Sequence, residues 1–286
     1  MSRDLLPVSQ VRFVTAIPTE QRIALIDRHE ADYALTRLVH LNCAAIDEYD
    51  QTPTKLVLKG GFAVRHIYAG PRFSRDADVL PADPDLDFIG PDDLLIPSGM
   101  ERIQTTVGDA LQSWKVKVRY ATISRRDTGF ISCDVNDLQR LLRQRPPQRA
   151  LFESRFVDPF PVWAATTEEI ISEKLVALMR RQTDRIRDAF DIHHVLAQRG
   201  VPLDPVITCS LYADSARRQG VAVTIDRTPA AIRAMATDHS SAAAWATQLG
   251  GALASGVPAF APLAEELADL IDARLLHDSP ADRSRT

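Results

Sequence analysis

The amino-acid sequence predicts a mixed α/β (α+β) fold, a sheet core with an N-terminal helix before it and an all-helical segment after it. Three observations carry this prediction. Short apolar runs that stop at glycine or alternate with polar residues indicate strands between about residues 54 and 160, and apolar stripes at helical spacing flank that region. A proline-rich break between Pro146 and Pro161 precedes the helical remainder. We therefore expect two domains, residues 1–160 and 161–286.

Composition narrows the class of protein. The chain has 286 residues, of which 45% are hydrophobic and 25% charged, so it can bury one full core or two small ones. Its net charge of −4 gives no overall nucleic-acid signature. Its three cysteines have no disulfide or metal-ligand spacing, no signal peptide opens the chain, and no apolar run reaches the roughly 18 residues of a membrane span. We expect a cytoplasmic protein without membrane contact.

The first and last predicted elements are helical. Residues about 19–50 carry apolar side chains at helical spacing, as one long helix or two, and end at Asp50-Gln51-Thr52-Pro53. Near the other end of the chain, Pro262–Leu276 has a clear apolar stripe. These segments bracket the region in which the candidate site residues lie.

Lys59-Gly60-Gly61 is the first candidate site. It joins a short buried strand, Lys55–Leu58, to the helical pattern Phe62–Tyr68. Such a turn leaves backbone N–H groups unpaired at the positive end of the helix dipole, which suits phosphate oxygens. Lys59 precedes the glycines, so the pattern differs from the P-loop. A plain tight turn is the alternative interpretation.

Two carboxylates follow the turn. Asp76 and Asp78 are two positions apart and share one face if they lie in a strand. Neighbouring carboxylates repel unless a cation neutralises them, and Mg²⁺ with oxygen ligands does so while bridging to substrate phosphates. Turn and carboxylates together predict nucleotidyl transfer, with a solvated acidic turn as the alternative.

A third carboxylate is expected on a neighbouring strand, and Asp134 fits. It follows the alternating run Phe130–Cys133, which we expect to pair with a strand over Lys115–Tyr120. An edge-strand aspartate that faces water is the alternative. Between Asp78 and these strands, residues about Glu101–Ser113 are predicted to form a helix.

Two helices of the C-terminal half carry further candidates. Thr166-Thr167-Glu168-Glu169 is a capping box that opens a helix with Lys174 at the edge of its apolar stripe. A lysine there must reach solvent or meet an anion, for which a triphosphate is suitable. The next helix, Asp184–Leu196, carries Asp188 and Asp191 one turn apart on one face. Salt-bridged surface helices are the alternative for both.

Arginines cluster toward the end of the first predicted domain. Six of them, against three aspartates, lie between residues 125 and 149. Such a cluster can cradle an RNA backbone, or it can be a solvated basic face. The arginines of this cluster and those that follow are Arg125, Arg126, Arg140, Arg143, Arg145, Arg149, Arg180, Arg181, Arg185 and Arg187.

Four motifs in one order, KGG, RFSRDAD, ISEKLVALMRR and RIRDAFDI, together resemble the AbiEii/AbiGii nucleotidyltransferase toxin family, which includes MenT-like toxins of type IV toxin–antitoxin systems. The motifs span residues 59–192. The resemblance implies a polymerase-beta-like nucleotidyltransferase core. Phe62 departs from the pattern, because relatives often carry Ser or Thr after the glycines.

The resemblance also implies residue roles. Metal binding is assigned to Asp76 and Asp78, which we extend to Asp134, and catalysis to Asp76, Asp78, Lys174 and Asp191, with Lys174 on the triphosphate. The residues implied or considered for contact with the substrate are Lys59, Gly60, Gly61, Arg65, Ser74 and Asp188.

The implied function is a toxin that uses Mg²⁺ (or Mn²⁺) and an NTP to add a nucleoside monophosphate to the 3′ end of tRNA, which stops aminoacylation and translation. A cognate antitoxin is the implied protein partner. Two alternatives stay open: a nucleotidyltransferase that modifies a small molecule or a protein hydroxyl, and a non-catalytic nucleotide- or RNA-binding module.

Overall fold

The computed structural model describes residues 19–45, 56–81, 91–108, 113–122, 128–136, 147–180, 185–250 and 257–276. The chain divides into two units. The first comprises Met1–Ala69 and Phe73–Ala165, and the second comprises Gly70–Arg72 and Thr166–Thr286. Of the helices in these ranges, none has the length and apolar character needed to cross a membrane.

The described residues of the first unit form one mixed sheet of seven strands. They are β1 (Leu56–Lys59), β2 (Asp76–Pro81), β3 (Met100–Val107), β4 (Ser113–Ala121), β5 (Thr128–Asn136), β6 (Gln148–Phe152) and β7 (Phe160–Ala164). Their order in the sheet is β3-β4-β5-β2-β1-β7-β6. The pairs β2–β5 and β1–β7 are parallel, and the other neighbours are antiparallel. The predicted α/β class is confirmed.

Two helices of the first unit accompany the sheet, α1 (Thr19–Cys43) and α2 (Gly60–Ile67). The N-terminal segment is thus one helix, and it ends before the predicted stop. The physical reason is a new set of backbone partners: Ala44 bridges to β7, and the Ala45 N–H donates to the Pro161 carbonyl at 2.8 Å. Residues 46–50 lie outside the described ranges.

The central strands alternate between a covered and an accessible face. One face of these strands is buried, and it carries Val116, Ile131, Cys133 and Ala77. Register places Cys133 opposite both Val116 and Ala77. Helix α1 packs against β5. Burial of each large aliphatic side chain contributes about 1.5–3 kcal/mol. Residues at the alternate positions point to the opposite face. This two-residue period decides which side chains can meet a substrate.

The helix predicted over Glu101–Ser113 is wrong. Met100–Val107 is strand β3, which pairs antiparallel with β4 from Met100 opposite Tyr120 to Val107 opposite Trp114. Glu, Arg and Gln in this run favour helix locally, but its Ile, Thr and Val residues suit a strand. Pairing with β4 from Trp114 to Tyr120 decides between these weak local preferences.

A buried ion cluster links α1 to α2. Asp32 accepts hydrogen bonds from Arg65 at Nε, 2.8 Å, and at Nη2, 3.0 Å, and its Oδ1 lies 3.1 Å from Nε2 of His66. The other ring nitrogen of His66 lies 2.7 Å from the Glu153 carbonyl oxygen. Although burial by itself would raise the pKa of Asp32, the hydrogen bonds and charges of His66 and Arg65 hold it below its usual value.

The second unit is helical. Its described helices are α3 (Thr167–Arg180), α4 (Arg185–His193), α5 (Pro205–Arg218), α6 (Thr228–Thr237), α7 (His239–Gly250) and α8 (Phe260–Ile271). A π-helical turn extends α4 to Gln198 and another extends α8 to Leu276. The predicted apolar stripe near the C-terminus is confirmed, since Leu263, Leu267 and Ile271 are all buried.

The predicted capping box opens α3. The Thr166 N–H donates to Oε2 of Glu169 at 2.8 Å, and the Glu169 N–H donates to Oγ1 of Thr166 at 3.3 Å. Two otherwise unpaired N–H groups are thereby satisfied by each other's side chains, which fixes the first turn of the helix that carries Lys174.

Acid sensitivity of the first unit follows from buried His29 on α1. Burial and then the charge of Arg155 lower its pKa from 6.5 to about 4. As pH falls from 6.5 toward 4, the unfolded chain binds a proton that the folded chain excludes, so the unfolding free energy decreases. We expect His29→Phe to reduce that decrease by at most about 1.4 kcal/mol per pH unit, measured by chemical denaturation.

The control for this substitution is His239→Gln at an exposed position. It should leave the pH dependence of wild type unchanged. An identical pH slope in His29→Phe and wild type would show that His29 is not the group responsible.

Candidate active site

Four charged residues form one row across the face of the sheet opposite the covered one, where Lys59 is buried and the other three are more accessible. Register pairs Lys59 of β1 with Asp78 of β2, Asp78 with Asp134 of β5, and Asp134 with Lys115 of β4. Neighbouring strands are about 4.8 Å apart, so the row reads positive, negative, negative, positive over about 14 Å. The predicted strand position of Asp134 is confirmed. Because β5 lies between β2 and β4, Asp134 is not on an edge strand.

Lys115 neutralises two of the three carboxylates. Its Nζ donates to Oδ2 of Asp134 at 2.9 Å and lies 3.6 Å from Oδ1 of Asp76. Ser132, which pairs with Asp76 in register, donates its hydroxyl to the same Asp76 oxygen. About half of the Lys115 side chain, 48%, is exposed, so these ion pairs face water.

Electrostatics of this face favour a bound cation. Burial, and then the negative charges of Asp78 and Asp76, raise the pKa of Asp134 even though Lys115 opposes the shift. For Lys115, burial lowers the pKa, but the hydrogen bond to Asp134 and the charges of Asp76 and Asp134 outweigh it and raise the pKa overall. Oδ1 of Asp134 is buried and has no hydrogen-bond partner among the described residues.

The carboxylates do not form a finished metal centre. Within the described ranges, no three His, Cys, Asp or Glu side chains converge in a way that could hold an ion. Lys115, whose ammonium contacts Asp134 and Asp76, instead supplies the positive charge between β2 and β4. A metal ion on these carboxylates therefore requires Lys115 to release them.

Gly60 is needed at the start of α2 for two reasons. Its φ of +71° lies in the left-handed region, which glycine adopts without a steric penalty. A methyl group on its Cα would also lie 2.8 Å from Cγ of Asp78 and would clash with Oδ2 of the same carboxylate, which is closer still. The Asp78 carboxylate thus packs directly against the predicted phosphate-binding turn.

Ser74 and Arg65, the weaker candidates, both have partners within the first unit. The Ser74 hydroxyl donates to the Asp76 carbonyl at 2.9 Å, which shapes the chain as it enters β2. The Arg65 guanidinium binds Asp32 and lies 3.8 Å above the Phe73 ring. Substrate contact by either residue stays a prediction.

The second unit brings Lys174, Asp188 and Asp191 together. Nζ of Lys174 donates to Oδ1 of Asp188 at 3.1 Å and to Oδ2 of Asp191 at 2.7 Å, so both aspartates lie on the α4 face toward α3. Arg72 makes a two-pronged contact with Asp191, from Nε at 2.8 Å and from Nη2 at 2.7 Å. The anion that the buried Lys174 meets is thus a carboxylate pair of its own unit.

This cluster is buried and strongly coupled. Burial raises the pKa of Asp191, but the charges of Arg72 and Lys174 outweigh it and lower the pKa to about 2. Burial likewise lowers the pKa of Lys174, and Asp191 and Asp188 raise it above its usual value. Removal of one member of a buried ion pair costs about 3–5 kcal/mol, because the partner charge is left without compensation. A substitution that removes one member of the cluster would therefore destabilise the second unit.

Arg72, Lys115 and Ser132 make key contacts that the sequence pattern did not single out. A signal existed for two of them. Arg72 stands inside the RFSRDAD motif, and Lys115 is the first lysine of an alternating strand expected to pair with the strand of Asp134. Ser132 could be found only from the parallel register that sets it opposite Asp76.

Most of the predicted arginine cluster falls outside the described ranges, namely Arg125, Arg126, Arg140, Arg143, Arg145 and Arg181. Arg149 is exposed on β6, and exposed Arg180 donates to Oε1 of Gln219 at 2.8 Å. The RNA cradle over this segment therefore stays a prediction.

A mixed sheet with a Gly-Gly turn against carboxylates on adjacent strands has the architecture of a nucleotidyltransferase. The family model for the nucleotidyl transferase AbiEii toxin of type IV toxin–antitoxin systems matches residues 48–272. Because the match covers most of the sequence, the chain belongs to this family, and the resemblance seen in the four motifs is confirmed. Comparison with curated protein sequences gives no match.

Two solved structures from Helicobacter pylori are similar to this chain. JHP933 has 19% sequence identity and a TM-score of 0.52, covering 92% of this chain and 97% of its own. A putative nucleotidyltransferase has 18% identity and a TM-score of 0.48, covering 92% of this chain and 99% of its own. At this identity the first likeness concerns the fold alone, and the second is too loose to add to it.

The packing of Asp78 against Gly60 can be tested with a matched glycine pair. Gly60→Ala and Gly99→Ala both force alanine to a positive φ, +71° and +82°, which costs about 1–2 kcal/mol. Only at Gly60 does the new methyl group displace Asp78, since no atom lies within 4 Å of the corresponding position at Gly99. We expect both variants to lose stability in thermal denaturation, and Gly60→Ala alone to lose nucleotide transfer.

Wild-type transfer activity in Gly60→Ala would contradict a role for the Asp78 position. An equal loss of activity in the two variants would point instead to general destabilisation.

Proposed function

We propose that this protein is a toxin that transfers a nucleoside monophosphate from an NTP to the 3′ end of tRNA and so blocks aminoacylation and translation. Membership of the AbiEii family supports the toxin and transferase parts. The observation that carries the chemistry is the register that aligns Asp78 with Asp134, next to Asp76 and the Gly60 turn. The tRNA acceptor rests on the motif resemblance.

Asp76, Asp78 and Asp134 are the proposed ligands of Mg²⁺ or Mn²⁺. Carboxylate oxygens on adjacent strands are the type of ligand that such ions prefer, and Lys115 must release Asp134 and Asp76 before the three side chains can share an ion. Oδ1 of Asp134, buried and without a hydrogen-bond partner in the described part of the chain, is a natural ligand atom. When bound, the ion would neutralise charge on the α-phosphate and on the departing pyrophosphate.

Phosphate binding is assigned to the turn. The N–H groups at the start of α2 lie at the positive end of the helix dipole, and α2 has no acidic residue in its first turn. Lys59, which opposes Asp78 in register, adds positive charge next to these N–H groups. The family motifs assign Lys174 to the triphosphate, and Asp191 with Asp188 hold its ammonium.

In the proposed reaction the 3′-hydroxyl oxygen of the acceptor forms a bond to the α-phosphorus, and the bond from that phosphorus to the oxygen shared with the β-phosphorus breaks. Pyrophosphate leaves with that oxygen, and the hydroxyl proton passes to solvent. The chain's own residues mainly position the reactants, as is usual in phosphoryl-group chemistry. The turn orients the phosphates, and the carboxylates fix where the attacked phosphorus lies.

We further propose that the protein acts in the cytoplasm and that a cognate antitoxin restrains it.

Labelled NTPs test this function against its rivals. Incubation of the protein with each of the four NTPs, total RNA and total protein should label the tRNA fraction. Label in proteins or in small molecules would replace the tRNA acceptor. NTP binding without any release of pyrophosphate would favour a non-catalytic module.

Asp76→Ala should abolish both nucleotide transfer and growth inhibition. We expect transfer to fall by more than about a hundredfold, because even residues that merely orient a metal ligand are worth about 10–100-fold. The Asp76 side chain is 44% exposed, so the melting temperature should change little. The control is Asp92→Ala, which removes an exposed partner of Arg102. A fully active Asp76→Ala protein would sink the proposed mechanism.

Lys115→Met should strengthen metal binding, because the ammonium competes with the ion for Asp134 and Asp76. Exposed ion pairs are worth at most about 1 kcal/mol, so we expect Mn²⁺ affinity to rise by up to about fivefold, measured by electron paramagnetic resonance on the protein alone. Lys117→Met, two positions along β4, is the control and should match wild type. Unchanged or weaker Mn²⁺ binding in Lys115→Met would show that Lys115 does not occupy the cation position.

A further inference from the structure

The accessible face of the sheet continues beyond the carboxylates. Register sets Lys117 of β4 opposite Ser132 of β5, and Arg119 opposite Phe130. These residues follow Lys115 and precede Asp134 at two-residue intervals, so their side chains lie on the face that carries Asp134. Lys117, Arg119 and Phe130 are all exposed. None of them has a part in the proposed metal or phosphate site.

Phe130 is an exposed aromatic ring beneath a cation. It is 42% exposed although β5 is an inner strand, and Nζ of Lys117 lies 4.6 Å from its ring centroid. The ring therefore offers part of its surface to solvent next to a positive charge. Nucleic-acid bases stack on such rings whatever their sequence, and a neighbouring cation can bind the phosphate that follows.

Arg119 adds a second cation to this face. It pairs with Glu101 of β3, and both side chains are well exposed, 44% and 61%. An exposed pair of this kind contributes at most about 1 kcal/mol, so a phosphate group can replace Glu101 at little cost. The guanidinium also matches the geometry of phosphate oxygens.

The surface around Phe130 lies within a few nucleotides' reach of the carboxylates. Phe130 and Asp134 are four residues apart on one strand, which corresponds to about 13 Å between their Cα atoms. A single strand of nucleic acid that lies along β4 and β5 can thus stack a base on Phe130 while its end reaches Asp134, Asp78 and Asp76. The path between these points runs along Lys117.

We propose that Phe130, Lys117 and Arg119 form the binding surface for the single-stranded 3′ end of the acceptor RNA. A base a few nucleotides from the end stacks on Phe130, and phosphates on either side of it contact Lys117 and Arg119. This inference rests on the proposed function, because it gives the acceptor of that same transfer site a place to bind.

Charge and continuity favour RNA over a protein as the occupant. The surface has one apolar group, Phe130, between two cations, which complements a backbone of phosphates with bases between them. It also leads directly into the candidate active site, where the acceptor's hydroxyl must arrive. An antitoxin on the same face is the competing occupant and is separated from RNA by the test.

The test measures binding of a short fluorescent single-stranded RNA with a free 3′-hydroxyl to the full chain without NTP. We expect Phe130→Ala to weaken binding about fivefold to a hundredfold, the range of one base–aromatic stack, and Phe130→Tyr to retain it. Lys117→Gln should lower the salt dependence of binding by about 0.7 in log–log slope. Leu151→Ala, exposed on β6, and Arg217→Gln, an exposed partner of Asp214, are matched controls that should bind like wild type.

The KM for NTP should stay unchanged in Phe130→Ala, while the KM for RNA rises. RNA binding by Phe130→Ala that equals that of Leu151→Ala overturns the inference, as does a loss of antitoxin binding with RNA binding intact. Failure of the proposed function is a distinct result: wild-type protein that binds the RNA, loses that binding in Phe130→Ala, and transfers no nucleotide to it.

Discussion

Two negative charges held side by side are the constraint on which the first unit depends. The parallel register of β2 and β5 fixes Asp78 beside Asp134, and partial burial strengthens their repulsion. Backbone hydrogen bonds of the sheet and the buried side chains on its other face keep the two strands in place against that repulsion. Neighbouring residues reduce the repulsion between the two carboxylates. Lys115 forms an ion pair with Asp134, and Gly60 leaves room for the Asp78 carboxylate.

The second unit meets the same electrostatic problem in a different way. There the carboxylate of Asp191 is buried, and Arg72 and Lys174 hold it charged with a pKa of about 2. Arg72 and Lys174 donate three hydrogen bonds to Asp191, and Lys174 donates a fourth to Asp188, all in a buried environment that strengthens them. Lys115, in contrast, is half exposed, and its ion pairs are weak enough to exchange. Exchangeable neutralisation suits the face that carries the proposed metal and phosphate sites, whereas the buried ion pairs hold Lys174 and Asp191 in fixed positions.

Local chemistry explains which predictions from the sequence were confirmed. The strand before Gly60 and the helix after it follow from glycine and apolar periodicity, and the capping box at Thr166 follows from spacing alone. The prediction of a helix at β3 is wrong, because the residues of β3 have no strong local preference and pairing with β4 decides their conformation. The exposure of Phe130 and the contacts of Lys115 are likewise not decided by local sequence, because both depend on which strands are neighbours in the sheet.

The sequence by itself determined the family, the class of fold and the residue types of the candidate site, because these reside in short motifs whose spacing survives without any tertiary contact. Tertiary structure alone decided that Asp134 lies beside Asp78, that Lys115 neutralises it, and that Lys174 meets Asp191. Register and helix packing couple residues that are tens of positions apart in the chain. Such couplings arise from the free energy of the whole unit, and a short motif does not specify which distant residue its side chains will meet.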